Sequence, residues 1–155
     1  MRGADIMQRL KVLICDDSAF LRVTLRKIIE SDPGLKVVDI ARNGAEAVEK
    51  AIRLKPDVIT MDLHMPVMDG LTALKDIVEL RIAPVIMLAA GSPEDAGITM
   101  DAMDAGAFDF IFKPDQTDSL MNRSAFILQK LKQAAASNFY DKFYSGRDAV
   151  RERIT

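Results

Sequence analysis

Five short apolar runs, separated by segments with helical periodicity, constrain the fold of this 155-residue chain more than any other feature. Near-continuous apolar strands joined by helices are typical of a parallel sheet that is covered on both faces. Right-handed crossovers then predict a doubly wound α/β sandwich. The runs are KVLIC at 11–15, KVVDIA at 36–41, DVITM at 57–61, PVIMLA at 84–89 and FDFIF at 108–112.

Segments with helical periodicity lie between these runs and after the last one, and they predict five helices. Asn43 is a candidate N-cap for the second helix. Gly106 is expected to end the fourth helix, which should cover 93–105. The fifth helix is expected over 119–136. The sequence therefore predicts five strands that alternate with five helices.

The length of the chain fits one domain with a short appendage. We expect this domain at 11–136, after an N-terminal extension at 1–10. The last stretch, 137–155, is typical of a tail or linker, and Gly146 should interrupt a helix there. Four aromatic residues in this stretch have helix-like spacing and should pack within the chain or in a dimer, the alternative being that they form a partner surface: Phe139, Tyr140, Phe143 and Tyr144.

Composition argues against several classes of partner. The formal net charge is -2, which gives no general affinity for nucleic acid or for acidic membranes. Cys15 is the only cysteine, so no intramolecular disulfide can form, and a reducing compartment fits. MRGADIMQRL at 1–10 lacks the apolar core of a signal peptide, and no run is long enough to span a membrane. We therefore expect a cytoplasmic chain with no nucleic-acid or membrane partner.

Polar residues follow three of the five predicted strands. Asp16 and Asp17 come directly after the first strand, Asp62 ends the third and Lys113 follows the fifth. In a doubly wound sheet, ligands bind outside the carboxyl ends of the strands. These three acids and the lysine are therefore expected to meet at one edge of the sheet.

Clustered carboxylates at that edge need a counter-charge, because two of them about 4 Å apart repel by roughly 4 kcal/mol at an effective dielectric near 20. Mg²⁺ prefers oxygen ligands and commonly takes one or two carboxylates together with waters and a phosphate. A carboxylate can also act as the nucleophile in phosphoryl transfer, and a lysine can hold a phosphoryl oxygen. Asp62, opposite the acid pair, is the best candidate for this role. The alternative is that these acids cap helices and are solvated at loop tips.

The motifs CDDS, MDLHMPVMDG and GAFDFIFKP resemble those of the receiver domains of bacterial response regulators, and the resemblance extends over roughly 11–132. The stretches DDSAFLR, PVIMLA and AGITMDAMDAGAFDFIFKP are most similar to the regulatory domains of chemotaxis protein-glutamate methylesterases, the CheB proteins. The resemblance implies a flavodoxin-like sheet with strand order 2-1-3-4-5. It also implies a signalling role in a two-component system.

For matched positions, the resemblance implies specific roles. Asp62 would be the phosphoacceptor and would take its phosphoryl group from a phosphohistidine on a histidine kinase. Asp17 and Asp62 would bind Mg²⁺ directly together with the backbone carbonyl of His64, and Asp16 would act through a metal-bound water. Lys113 would pair with the phosphoryl oxygens.

The resemblance also assigns a switch and a partner surface. Phe110 occupies the position of the switching aromatic, and 93–132 covers the region through which the family contacts output domains or signalling proteins. The family has Thr or Ser at the end of the fourth strand, whereas this chain has Ala89. The missing hydrogen bond to a charged group is worth about 1.5–3 kcal/mol, so we expect phosphorylation to persist with a blunted conformational response. Ser92 could substitute only if its loop folds back.

Other functions are compatible with parts of this pattern. The module could bind partners without phosphorylation, or it could be the truncated regulatory domain of a methylesterase. The chain has no Gly-x-Ser-x-Gly motif and only one histidine, His64, so we expect no triad hydrolysis and no enzyme activity of its own. A Mg²⁺-dependent phosphohydrolase usually has a second acid two residues after its nucleophile, where this chain has His64. DDSAF in place of G-x-G-x-x-G excludes a dinucleotide-binding domain.

Overall fold

The computed structural model describes residues 9–113 and 117–154. Most of the predicted N-terminal extension, and residues 114–116 of the predicted partner region, lie outside the described residues. Strands and helices alternate along the chain up to the fifth strand, after which three helices follow. The elements are β1 (Leu10–Cys15), α1 (Ala19–Glu30), β2 (Leu35–Ala41), α2 (Gly44–Leu54), β3 (Val58–Asp62), α3 (Gly70–Glu79), β4 (Val85–Ala89), α4 (Pro93–Ala105), β5 (Asp109–Phe112), α5 (Thr117–Asn122), α6 (Ser124–Ala136) and α7 (Phe139–Ile154).

The five strands form one parallel sheet with the order β2-β1-β3-β4-β5, which confirms the predicted doubly wound fold. Residues of α2, α3 and α4 bury one face of the sheet. Residues of α1, α5 and α6 bury the other face. Cys15 pairs with Met61, and Asp62 pairs with Leu88, so β1, β3 and β4 end at the same edge. This register brings the residues that follow the strands together.

The described part of the chain contains seven helices, where the sequence predicted five. One difference is a break in the predicted 119–136 helix, which forms α5 and α6. The break lies at Arg123, whose φ of -101° and ψ of 14° depart from helical values and whose side chain makes no capping bond. Elsewhere the end signals are confirmed. Asn43 caps α2, and Gly106, with a φ of 116°, ends α4.

The second difference is α7, a helix that occupies most of the stretch predicted as a tail or linker. Gly146 lies inside this helix at an exposed position, so it does not interrupt the helix as predicted. A glycine in a helix costs about 1 kcal/mol relative to alanine, an amount that packing readily offsets. The packing comes from the four aromatic residues, which confirms that they pack within the chain. The domain boundary at residue 136 stays a prediction.

Candidate functional site

Three acids and one lysine meet at the carboxyl edge of the sheet, as the sequence predicted. One carboxylate oxygen from each of Asp16, Asp17 and Asp62 lies within 4.8 Å of the other two. Asp16 and Asp62 are buried, with exposed fractions of 0% and 4%, whereas Asp17 is exposed. Lys113 reaches this cluster from the end of β5, with its Nζ 2.8 Å from Asp62 Oδ1 and 3.3 Å from Asp16 Oδ2.

Local contacts fix the position of Asp16. Its Oδ1 accepts a hydrogen bond from the backbone N–H of Ser18 at 2.9 Å, and its carbonyl accepts one from Arg22 at 2.8 Å. Ser18 itself caps α1. The buried Oδ2 has the ionic contact with Lys113 but no hydrogen-bond partner in the described residues. A buried carboxylate oxygen in this state fits a site that holds a cation.

The acids at this edge carry more negative charge than Lys113 can neutralise. The pKa of Asp62 is raised from 3.8 to about 6: burial is the main cause, the hydrogen bond from Lys113 opposes it, and the nearby carboxylate of Asp16 adds to the increase. Burial alone would lower the pKa of Lys113, but the carboxylates of Asp62 and Asp16 outweigh it and raise the pKa. A divalent cation bound between the acids would offset both the burial of the Asp62 carboxylate and its repulsion by Asp16.

The loop after Asp62 folds back tightly onto the strand end. A Cβ on Gly70 would lie 1.9 Å from the carbonyl oxygen of Asp62, so only glycine fits there. The backbone N–H of Gly70 donates to Leu63 at 2.9 Å, and Asp69 caps α3. Val67 has a φ of 69° and a side chain that is 85% exposed. The sequence MDG at 68–70 therefore begins α3 and also holds the start of this helix against the end of β3.

His64 contacts an acid that the sequence did not single out. Its ring Nε2 lies 2.6 Å from Oδ1 of Asp95, a residue in the first turn of α4. Asp95 is only 4% exposed, and its Oδ2 accepts the backbone N–H of Ala90 at 3.0 Å. The hydrogen bond between the two side chains raises the pKa of His64 and lowers that of Asp95. The sequence showed Asp95 only as an acid in a helical first turn, so no local signal identified this contact.

The remaining predicted residues lie close to the site or on the adjacent strand. Ala89 is buried at the end of β4, and its carbonyl accepts the backbone N–H of Lys113 at 2.7 Å. Ser92 caps α4 by accepting the backbone N–H of Asp95 at 3.3 Å, so its hydroxyl is engaged at the helix start. Phe110 is half-buried in β5 and packs edge-on against Phe112.

No helix in the described ranges, 9–113 and 117–154, is long and apolar enough to cross a membrane.

Comparison with known proteins identifies the family. The response regulator receiver domain family matches residues 12–125. The chain is 49% identical over 133 residues to protein-glutamate methylesterase/protein-glutamine glutaminase 2 of Carboxydothermus hydrogenoformans, a match covering 84% of this chain and 38% of that protein. It is 50% identical over 127 residues to the corresponding protein of Thermotoga maritima, covering 81% of this chain and 37% of that protein.

Solved structures agree with these relatives. The response regulator domain of Thermotoga maritima CheB superposes with a TM-score of 0.77 at 45% identity, covering 84% of this chain and 98% of that one. A chain from the CheX-CheY-BeF3-Mg²⁺ complex of Borrelia burgdorferi superposes with a TM-score of 0.63 at 36% identity, covering 76% of this chain and 88% of that one.

The extent of these matches shows which part of the methylesterases this chain resembles. The chain spans only 37% to 38% of the length of these two relatives. It covers nearly all of the isolated regulatory domain. It thus corresponds to the regulatory domain of such proteins and not to their catalytic part. The chain belongs to the response regulator receiver domain family and is a receiver domain of the CheB type.

Proposed function

We propose that Asp62 is the phosphoacceptor of this receiver domain and that a histidine kinase of a chemotaxis-type two-component system supplies the phosphoryl group. The observation that carries this proposal is the position of the buried Asp62 carboxylate, held by Lys113 and facing Asp16 at the carboxyl edge of the sheet. The family match supports the reaction class. The domain would act at 11–136, in the cytoplasm.

The chemistry needs little beyond positioning and charge. A carboxylate oxygen of Asp62 attacks the phosphorus of the phosphohistidine. A P–O bond forms as the P–N bond breaks, and the bonding electrons return to the imidazole nitrogen of the kinase. Lys113, 2.8 Å from Asp62 Oδ1, is placed to hold a phosphoryl oxygen of the resulting aspartyl phosphate. Attack by water at phosphorus later releases inorganic phosphate and restores the Asp62 carboxylate.

Mg²⁺ fits the donor set, because three carboxylates converge and one buried oxygen of Asp16 has no hydrogen-bond partner among the described residues. Asp17, Asp62 and the backbone carbonyl of His64 would hold the ion, and Asp16 would act through a bound water. When bound, the ion supplies positive charge that offsets the carboxylates and the incoming phosphoryl oxygens. The neighbour from Borrelia burgdorferi, whose structure contains BeF3 and Mg²⁺, supports this assignment.

The test is intact mass after incubation with acetyl phosphate and Mg²⁺. The parent should gain one phosphoryl group, and Asp62→Asn should gain none. Asp101→Asn, which alters an exposed acid on α4, is the matched control and should label like the parent. Equal labelling of Asp62→Asn and the parent would refute the acceptor assignment. No labelling of a folded parent that binds Mg²⁺ would favour a module that binds its partners without phosphorylation.

The presence of Ala89 favours this alternative, in which the module binds its partners without phosphorylation. Its methyl group, buried at the end of β4, cannot donate the hydrogen bond that a Thr or Ser hydroxyl would make to a phosphoryl oxygen. We infer that labelling proceeds but that the response through this residue is weak. Ala89→Thr should therefore enlarge the amide chemical-shift changes that accompany phosphorylation. Shifts no larger than those of the parent would contradict this inference.

The partner surface is proposed at 93–132, although residues 114–116 lie outside the described range. Met100 on α4, Phe112 on β5 and Phe126 on α6 expose apolar area there, with exposed fractions of 62%, 48% and 42%. Phe110 lies on the same strand as Phe112 and is proposed as the switching aromatic. We propose that phosphorylation changes how this surface contacts an output domain or signalling protein.

A further inference from the structure

We propose that Asp95 is a positioning residue that links the acceptor loop to α4 by holding the His64 ring and the Ala90 amide together. This link includes the amide of Ala90, which directly follows the position at which the family has a hydroxyl and this chain has Ala89. The inference rests on the proposed function, since it concerns how phosphorylation of Asp62 reaches the rest of the domain. It adds to that function a residue that neither the sequence motifs nor the family match assign.

The carboxylate of Asp95 connects two loops through hydrogen bonds. Its Oδ1 accepts from His64, which follows β3, and its Oδ2 accepts from Ala90, which follows β4. Its own backbone is fixed as well, because its N–H donates to Ser92 Oγ and its carbonyl accepts the Thr99 hydroxyl at 2.7 Å. One buried carboxylate thereby joins two loops at the functional edge to the first turn of a helix.

An acid in the first turn of a helix ordinarily faces solvent and the helix N-terminus. Asp95 instead lies with its side chain 6% exposed, while the His64 side chain is 63% exposed. A buried, rigid partner therefore restrains an exposed ring that would otherwise sample several rotamers. Capping of α4 does not require Asp95, because Ser92 already provides the cap. The contact with His64 is therefore not explained by the stability of the helix alone.

His64 also touches the acceptor. Its backbone N–H lies 3.4 Å from Asp62 Oδ1, while its ring faces Asp95. A phosphoryl group on Asp62 adds close to two negative charges and three acceptor oxygens at that point. These oxygens compete with Asp95 for the same donors, the His64 residue and the Ala90 amide. Competition loosens the bridge and releases the first turn of α4, so the helix responds without a hydroxyl at residue 89.

His64 is the only histidine in the chain, so its ring nitrogens give a single unambiguous pair of ¹⁵N signals. We would record these signals and the backbone amides of the full chain at one fixed pH, without and with beryllium fluoride and Mg²⁺. In the parent, the phosphoryl mimic should shift the ring signals, the Ala90 amide and the amides of 93–99. In Asp95→Asn, the ring signals should already differ before the mimic is added, and the shifts across 93–99 should lose about half or more of their amplitude.

Asp101→Asn lies on the same helix and should behave as the parent. The His64→Gln variant should show the same loss across 93–99, and the double variant should add nothing further, because both changes remove one contact. If Asp95→Asn fails to fold, the spectrum of His64→Gln alone tests the proposal.

Shifts across 93–99 that are as large as in the parent, in a folded variant that binds the mimic, would overturn the proposal. If the parent does not bind the mimic, the proposed function fails. If the His64 ring signals of the unliganded parent and of unliganded Asp95→Asn are the same, this inference is wrong even though the proposed function can still hold.

Discussion

At the carboxyl end of the sheet, Asp16 and Asp62 are buried side by side, and within residues 9–113 and 117–154 Lys113 is the only cation paired with them, whereas aromatic side chains of α7 cover the opposite end. There the hydroxyl of Tyr140 donates to the carbonyl of Ala83 at 2.6 Å. The carbonyls of Val78 and Asp104, near the ends of α3 and α4, accept from Tyr144 and Arg147, each at 2.6 Å.

The comparison separates function from stability within one domain. The end with α7 satisfies backbone carbonyls and buries apolar rings, which stabilises the folded chain. The acceptor end keeps a carboxylate oxygen of Asp16 that has no hydrogen-bond partner in the part of the chain that the structure describes, and it raises the pKa of Asp62 to about 6. Such unrelieved charge costs folding free energy but makes the site ready for a cation and a phosphoryl group.

The largest effect is expected from Gly70→Ala at the acceptor end. The added Cβ would lie 1.9 Å from the carbonyl oxygen of Asp62, and backbone atoms cannot move aside as a flexible side chain can. We expect unfolding free energy to fall by more than about 3 kcal/mol, measured by urea denaturation, with loss of Mg²⁺ binding.

Two other glycines provide controls for that substitution. Gly97→Ala, whose added Cβ would have no described atom within 4 Å outside its chain neighbours and the backbone of its own helix, should be neutral or stabilise α4 by up to about 1 kcal/mol. Gly106→Ala, at the opposite end, meets side chains of Val78 and Phe143 and has a φ of 116°. It should cost about 1–3 kcal/mol while Mg²⁺ binding is retained. A Gly70→Ala protein as stable as the parent would show that the acceptor loop is not held as described.

The second prediction concerns Asp62→Asn in metal-free buffer. Because the folded chain raises the pKa of Asp62 from 3.8 to about 6, it binds this proton more tightly than the unfolded chain does. The parent therefore loses stability as pH rises from about 4 to 6, and the Asn variant lacks that loss. At about pH 7 the variant should be more stable by about 1–3 kcal/mol in thermal and urea unfolding with a chelator.

The stability advantage of Asp62→Asn over the parent should shrink as the pH is lowered towards about 4, because the Asp62 carboxyl of the folded parent is protonated there. Saturating Mg²⁺ should also remove it, since the ion stabilises only the parent site fully. A variant that is less stable than the parent at about pH 7 without metal would show that Lys113 compensates the buried acids completely.

A smaller effect is expected at the opposite end from Tyr140→Phe. The change removes only the hydroxyl that donates to Ala83, so we expect a loss of about 1 kcal/mol and a lower melting temperature. Phosphoryl incorporation from acetyl phosphate should be unchanged, since no functional residue is touched. Impaired labelling with an intact fold would contradict this prediction and would indicate that α7 and the acceptor end are coupled.

The smallest effect is expected from Thr60→Val in the middle of β3. The Thr60 hydroxyl is buried and has no hydrogen-bond partner in the described residues, so its removal should be neutral or stabilise by up to about 1 kcal/mol. Thr24→Val is the matched control, because that hydroxyl donates to the carbonyl of Phe20 at 2.9 Å. Chemical denaturation should rank the Thr60 variant above the Thr24 variant, and the reverse order would imply a hidden partner for Thr60.

The sequence predicted the sheet and the acidic edge because both depend on short-range signals. Apolar runs ended by Asp16 and Asp62 define where strands stop, and parallel order then brings those ends together. The break at Arg123 had no Gly or Pro to indicate it. Packing of the aromatic residues outweighed the helix-breaking tendency of Gly146 in α7.

The contact between His64 and Asp95 could not be predicted either. The two residues are 31 positions apart, and the contact depends on how the β4–α4 loop brings the first turn of α4 over the site. Periodicity places a residue on a helix but does not say which loop its side chain meets across the sheet edge. The missing hydroxyl at Ala89 was visible in the sequence, but the bridge beside it was not.

The most direct test of the central claim is to locate the phosphoryl group. The full chain would be incubated with acetyl phosphate and Mg²⁺, and the acyl phosphate would be reduced with borohydride, which converts a phosphorylated aspartate to homoserine. Peptide mapping by mass spectrometry would then identify the position. Homoserine at residue 62, and at neither Asp16 nor Asp17, is the result this account predicts. Homoserine at another aspartate, or at none in a chain that binds Mg²⁺, would contradict it.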